Sequence, residues 1–200
     1  MGHYAKSEKT RQRIIEAAAE LFNRQGYAGT SLSDIIGATG LTKGCIYGHF
    51  DSKKEIELAA FNHNRKLIFR DIQARLRSAE GAREKLMEFV EGLRRNVGKA
   101  ELAGGCPLLN SSVEIDDRDG VLHDRVVASV DRWHRLLEKI IREGMDSGEF
   151  SDQADPREMA SLLISVYEGG MMLMKARKSQ RHITYAFSHM KRLIDDLKPH

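Results

Sequence analysis

Apolar residues recur every three or four positions along almost the whole chain, and no stretch alternates with the two-residue period of a half-buried strand. The first run predicts a helix over about 8–25, with Ile14, Ile15, Ala18, Leu21 and Phe22 along one face and Gly26 closing it. A short helix carrying Leu32, Ile35 and Ile36 follows, capped by Thr30 or Ser31. Thr39-Gly40 makes a tight turn, and Thr42 caps a third helix that runs to about Gly48. Asp51 or Ser52 caps a fourth, which opens with Lys53-Lys54-Glu55 and carries Ile56, Ala59, Ala60, Leu67, Ile68, Ile72 and Leu76. Beyond Gly81 the same reading gives helices near 83–97, 107–114, 122–147, 156–178 and 184–197. Gly104-Gly105 interrupts this series, and Asp116–Gly120 is a charged loop. The expected class is all-α: an N-terminal three-helix domain over 1–52 and a second helical domain over 53–200.

Composition narrows the setting. Hydrophobic residues make up 41% and charged residues 30%, the balance of a folded globular chain. No segment approaches the ~20 unbroken apolar residues of a membrane span. Met1–Lys6 shows no apolar run of a secretory leader, and the cysteines, Cys45 and Cys106, do not make a disulfide scaffold. A reducing cytoplasm is the expected location. The net charge of +3 lies entirely in the first 54 residues, where eight Lys/Arg face five Asp/Glu; the remainder carries 24 of each sign. Such asymmetry points the N-terminal quarter toward a polyanion.

The segment 30–50 makes that partner specific. Two short helices meeting at a glycine turn have the helix-turn-helix layout. Leu32, Ile35 and Ile36 pack the first inward, and Leu41, Ile46 and Phe50 the second. Thr42, Lys43, Gly44, Cys45, Tyr47 and His49 are left outward, small and polar as a helix entering a major groove requires. Cys45 can touch a thymine methyl or pack against the turn.

Several blocks then carry a family likeness in order and spacing: Ile14–Phe22, Gly26-Tyr27, Thr30–Ile35, Leu41–Phe50 and Ser52–Glu55. Together they resemble the DNA-binding domain of the TetR family of bacterial transcription regulators. Gly48 departs from the bulkier residue that members usually carry before the His or Tyr. The resemblance implies base and phosphate contacts at Thr42, Lys43 and Gly44, and phosphate contacts at Tyr47, His49 and Lys53. It also implies backbone contacts near Ser31 and Ser33, with Lys6 and Lys9 reaching from a flexible arm.

Over 53–200 the likeness is looser and rests on the Tyr167–Leu173 stretch. It implies ligand binding, and a subunit interface built from the last two long helices. Gly169 and Gly170 cost a helix ~1 kcal/mol each, so their presence suggests a close helix approach. Leu162, Leu163, Val166, Gly169, Gly170, Met190, Leu193 and Ile194 are the expected seam of a homodimer. Phe89, Leu93, Val113, Trp133, Leu137, Tyr167 and Met171 are candidate walls of an apolar pocket, with Cys106 beside Pro107 at the start of a helix. Some members with a similar Gly-Cys motif respond to electrophiles through that cysteine, so reversible binding and covalent sensing at Cys106 stand side by side.

No nucleotide loop, nucleophile elbow or metal-binding helix motif appears, so neither an enzyme, a cofactor nor a metal site is expected. The expected activity is that of a homodimeric regulator, by the family's usual mode a repressor. It would bind a palindromic double-stranded operator and leave it when a small hydrophobic or electrophilic inducer binds.

Overall fold

The structure is a computed structural model. It describes the backbone of residues 2–99, 102, 104–114 and 120–199, and the side chains among these from residue 6 onward. Among the described residues there are nine helices and no strand. They are α1 (Gly2–Gln25), α2 (Leu32–Thr39), α3 (Lys43–Tyr47), α4 (Lys53–Ser78), α5 (Ala82–Asn96), α6 (Pro107–Glu114), α7 (Gly120–Asp146), α8 (Pro156–Arg177) and α9 (Arg181–Asp195). No helix among the described residues is long and apolar enough to cross a membrane. Ala103 and residues 116–119 of the expected charged loop lie outside the described residues.

Two boundaries differ from the sequence reading. Helix α1 begins at Gly2, not near residue 8, because nothing in Lys6–Thr10 interrupts it, and Thr10 Oγ1 bonds back to Lys6 O at 3.0 Å. Lys6 and Lys9 therefore ride on a helix rather than on a loose arm. Helix α9 begins three residues early. Lys178 takes the left-handed conformation (φ 50°) that ends α8, and the chain re-enters a helix at once, with Thr184 N bonded to Gln180 O.

The chain forms two compact units. One holds residues 1–67 and 98–126, the other 68–97 and 127–200; α4 and α7 carry residues of both. In the first unit, Ile14, Ala18 and Phe22 of α1 meet Ile35, Ile46, Phe50 and Ile56 in one buried cluster. Each such side chain contributes about 1.5–3 kcal/mol by leaving water. Tyr27 stacks on Phe22 with centroids 5.0 Å apart, and the Arg11 guanidinium lies 4.6 Å from the Phe50 ring centroid.

Segment 98–126 belongs to this unit through polar anchors. Asn23, buried near the end of α1, donates from Nδ2 to Gly105 O at 3.1 Å. Asn110 Nδ2 is within 3.1 Å of Asn23 O, Asn23 Oδ1 and Gly104 O. Tyr27 N donates to Glu114 Oε2 at 2.6 Å, and the Tyr27 hydroxyl meets Ser111 Oγ at 3.1 Å. Burial is the main reason the Tyr27 phenol is pushed up to about 12. A Cβ on Gly104 would sit 2.0 Å from Asn23 O, so the segment leading into α6 approaches α1 as only glycine allows.

In the second unit α8 and α9 pack most extensively, and a Cβ on Gly170 would come within 2.6 Å of Ala186 Cβ. Arg83 bonds Asp195 at 2.6 and 2.9 Å, and Lys85 bonds Glu143 at 2.9 Å. Glu149 accepts from Ala82 N and Arg83 N at 2.9 and 3.1 Å, which caps α5 where Gly81 offers no side chain. Those backbone bonds hold its carboxyl below the ordinary 4.5, first through Ala82 N. A depressed carboxyl stabilises the fold above its unfolded value and ceases to do so as pH falls through the folded one. Denaturation midpoints are therefore expected to decline as pH drops below about 4.5, and a Glu149→Gln variant to show a shallower decline. Equal slopes in the two proteins would remove Glu149 from the acid response.

Candidate nucleic-acid interface

Three local devices shape α2 and α3. Ser31 caps α2 reciprocally: its Oγ accepts from Asp34 N at 3.2 Å while Asp34 Oδ2 accepts from Ser31 N at 2.7 Å. The Ser31 hydroxyl also donates to Asp34, and these bonds hold the Asp34 carboxyl below its ordinary value. Gly40 takes the left-handed conformation (φ 64°) with its N–H on Ile36 O at 2.8 Å, ending α2 and turning the chain. Thr42 then caps α3, its Oγ1 accepting from Cys45 N at 3.2 Å.

Ile46 and Phe50 anchor α3 in the core, so its other positions face out. Thr42, Lys43 and Gly44 are exposed, Tyr47 is 43% exposed, and Cys45 and His49 are half-buried. A Cβ on Gly44 would meet nothing within 4 Å. The Lys43 ammonium lies 5.9 Å from the Tyr47 ring centroid, so cation and ring share one side of the helix. Ser31 and Ser33 are exposed on the neighbouring element. Lys53 stands apart: its Nζ donates to Tyr27 O at 2.7 Å, pairs with Glu57 at 3.2 Å and lies 5.8 Å from the Phe22 centroid. In this structure its charge is engaged within the protein. That partner lies 26 residues away in sequence, so local spacing carries no sign of it.

The residues expected to meet a ligand fall into two groups. Phe89, Leu93, Trp133, Leu137, Tyr167 and Met171 are all buried in the second unit, with Phe89 and Tyr167 flanking the Trp133 ring at 5.9 and 6.1 Å. Cys106 and Val113 belong to the first unit; the cysteine is 3% exposed and the valine 78%. Of the expected seam, Leu163, Gly170, Met190 and Ile194 are already covered by the chain's own packing. Leu162 is exposed, and Val166, Gly169 and Leu193 are half-buried. A Cβ on Gly169 would meet open space. Met172 and Leu173, which the sequence reading named only within the Tyr167–Leu173 likeness, and Tyr185, which it did not name, extend the exposed apolar surface of α8 and α9. Their exposure follows from three-dimensional packing and has no local sequence signal.

Comparison with known proteins agrees with this architecture. Residues 14–60 match the family described as bacterial regulatory proteins, tetR family, and residues 82–190 match the tetracyclin repressor-like C-terminal domain. The transcriptional repressor DhaR of Mycobacterium sp. (strain GP1) is 25% identical over 171 residues, covering 85% of this chain and 84% of its own. A TetR-family regulator from Cytophaga hutchinsonii is 34% identical, with a TM-score of 0.88 over 98% of both chains. A second, from Chloroflexus aurantiacus, is also 34% identical, with a TM-score of 0.89 over 96% of both. These relatives are regulators of transcription, not enzymes. With its capped helix pair, its outward α3 and family matches over both halves, the chain belongs to the TetR family of DNA-binding transcriptional regulators.

Proposed function

We propose that the chain acts as a homodimeric repressor that holds a palindromic operator and leaves it when a small apolar compound binds the C-terminal half. The observation that carries this reading is the polar face of α3, anchored from behind by Ile46 and Phe50 while Thr42, Lys43, Gly44 and Tyr47 stay open to solvent. Ser31, Ser33 and His49 flank it as backbone contacts. One short helix reads only a few base pairs, and a palindrome needs two such helices about one turn of DNA apart. The outward face of α8, with Leu162, Val166, Gly169 and Leu173, supports a second copy as the source of the other.

The anchoring of α6 to the end of α1 supports a route for release. A compound that favours a displaced α6 would carry α1 and the reading helices with it, and by linkage DNA binding weakens by the same factor that the compound gains. A coupling of ~3 kcal/mol is more than a hundredfold. Covalent capture at Cys106 is the second reading, favoured by the place of its thiol immediately before α6. Its 3% exposure favours the reversible reading, because a reactive thiol needs access.

Titration of a duplex carrying the palindrome upstream of the protein's own gene tests this. Affinity is expected to fall steeply as salt rises, since phosphate neutralisation releases counterions. A Leu162→Arg variant is expected to sediment as a monomer and to bind the duplex more weakly. A flat salt response, or a monomeric wild-type chain, contradicts the reading. Release by an electrophile that Cys106→Ser abolishes would select the covalent route.

A further inference from the structure

From its cap onward, α9 sets Gln180, Thr184, Ser188 and Lys191 along one stripe at helical spacing, with Ile183 and Phe187 beside them. The last turn of α5 brings Arg94 to this stripe, and its C-cap brings Val97. Together these side chains line a cleft of about 360 Å³. That volume falls within the usual range for small-molecule sites. The whole lining belongs to the second compact unit, and none of it comes from the residues expected in the subunit seam.

The cleft joins two chemistries. Its floor is apolar: Ile183 and Phe187 are buried and Val97 is half-buried. Its rim is cationic, because Arg94 and Lys191 are both exposed. Glu91, one turn earlier on α5, steadies the Arg94 guanidinium by accepting from Nε and Nη2 at 2.7 and 2.6 Å, which leaves Nη1 for another acceptor. Arg95 Nε reaches the same carboxylate at 3.5 Å. These bonds, Arg94's first, hold the Glu91 carboxyl down to about 2, and Lys191 adds to the effect through its charge. Among these four groups, one carboxylate is set against the cations Arg94, Arg95 and Lys191, so the rim keeps a positive excess.

We propose that this cleft binds a small organic carboxylate with an apolar body. The carboxylate accepts from Lys191, Arg94 Nη1 and the Ser188 hydroxyl, and the body lies over Phe187, Ile183 and Val97. Between Lys191 and Ile183 the stripe runs ~12 Å along α9, room for such a body. A cation would meet like charge at the rim. An uncharged body would forgo the charged hydrogen bonds, and a bare anion would forgo the floor. The site is additional to the apolar compound of the release mechanism, and binding alone tests it.

Calorimetry on the full chain compares 2-naphthoate, 2-naphthamide, which keeps the shape without the charge, and acetate, which keeps the charge without the body. The naphthoate is expected to bind about fivefold more tightly than the amide at low salt, the margin shrinking as salt screens the exposed rim. Acetate is expected to give no measurable heat. Lys191→Gln and Arg94→Gln, both at exposed positions, are each expected to bring the margin to about twofold or less and to leave the amide's affinity in place. Lys139→Gln, an exposed α7 cation outside the cleft, is expected to keep the full margin. Should one cleft variant fail to fold, the other decides. Equal affinity for acid and amide, a margin that survives both cleft variants, acetate binding as tightly as naphthoate, or no naphthoate binding overturns the proposal.

Discussion

Replacing Gly104 by alanine is expected to lower stability by ~3 kcal/mol and the melting temperature by ~6–12 °C. The added methyl would sit 2.0 Å from Asn23 O, 2.4 Å from Asn23 C and 2.9 Å from Arg24 N. All three are backbone atoms within or beside the last turn of α1, so no side chain can swing aside. Either α1 or the 104–106 segment must shift. Shifting it breaks the Asn23 bond to Gly105 O and the Asn110 bonds to Asn23. Operator affinity should fall with stability, because α1 carries one wall of the core under α3. Gly37→Ala is the control: its Cβ meets nothing within 4 Å, and a helix interior gains up to ~1 kcal/mol from the change. A Gly104→Ala protein that melts with the wild type would mean that α6 is not held against α1 as described.

The second large effect separates binding from folding. Gly44→Glu is expected to weaken operator binding by about a hundredfold, ~2.7 kcal/mol, with no loss of thermal stability. Gly44 is exposed and has open space around its Cβ, so the fold accommodates the new side chain. Its carboxylate, however, would stand beside Lys43 and Tyr47 on the face offered to DNA. There it would oppose the phosphates in both half-sites. Denaturation curves and duplex titrations on the same preparation check both parts. Full operator affinity in this variant would remove α3 from the groove.

Much of this was legible along the chain, because the helix-turn-helix is a local object. Ser31, Gly40 and Thr42 carry their own caps and turn within a few residues. Ile35, Ile46 and Phe50 declare their inward faces by spacing alone. Residues whose partners lie far away were harder to place. The Lys53 ammonium reaches Tyr27 and Glu57, so a residue that resembles a phosphate contact is engaged inside the protein here. Leu163, Met190 and Ile194 share the period of a subunit seam, yet periodicity cannot say whether the covering surface comes from the same chain or another. That Trp133 Nε1 is buried without a hydrogen-bond partner leaves no trace in sequence, since it depends on what the helices packed around it fail to offer.

The unit that reads DNA is discontinuous: residues 1–67 are completed by 98–126. A ribosome adding ~5–20 residues each second delivers α1 to α3 well before α6 exists. Until then Asn23 has no Gly105 carbonyl to bond and Tyr27 N no Glu114. The nascent reading helices must wait, partly braced, until residues 105–114 have been added. A fragment truncated after residue 67 should therefore be a poor surrogate for the intact reading unit.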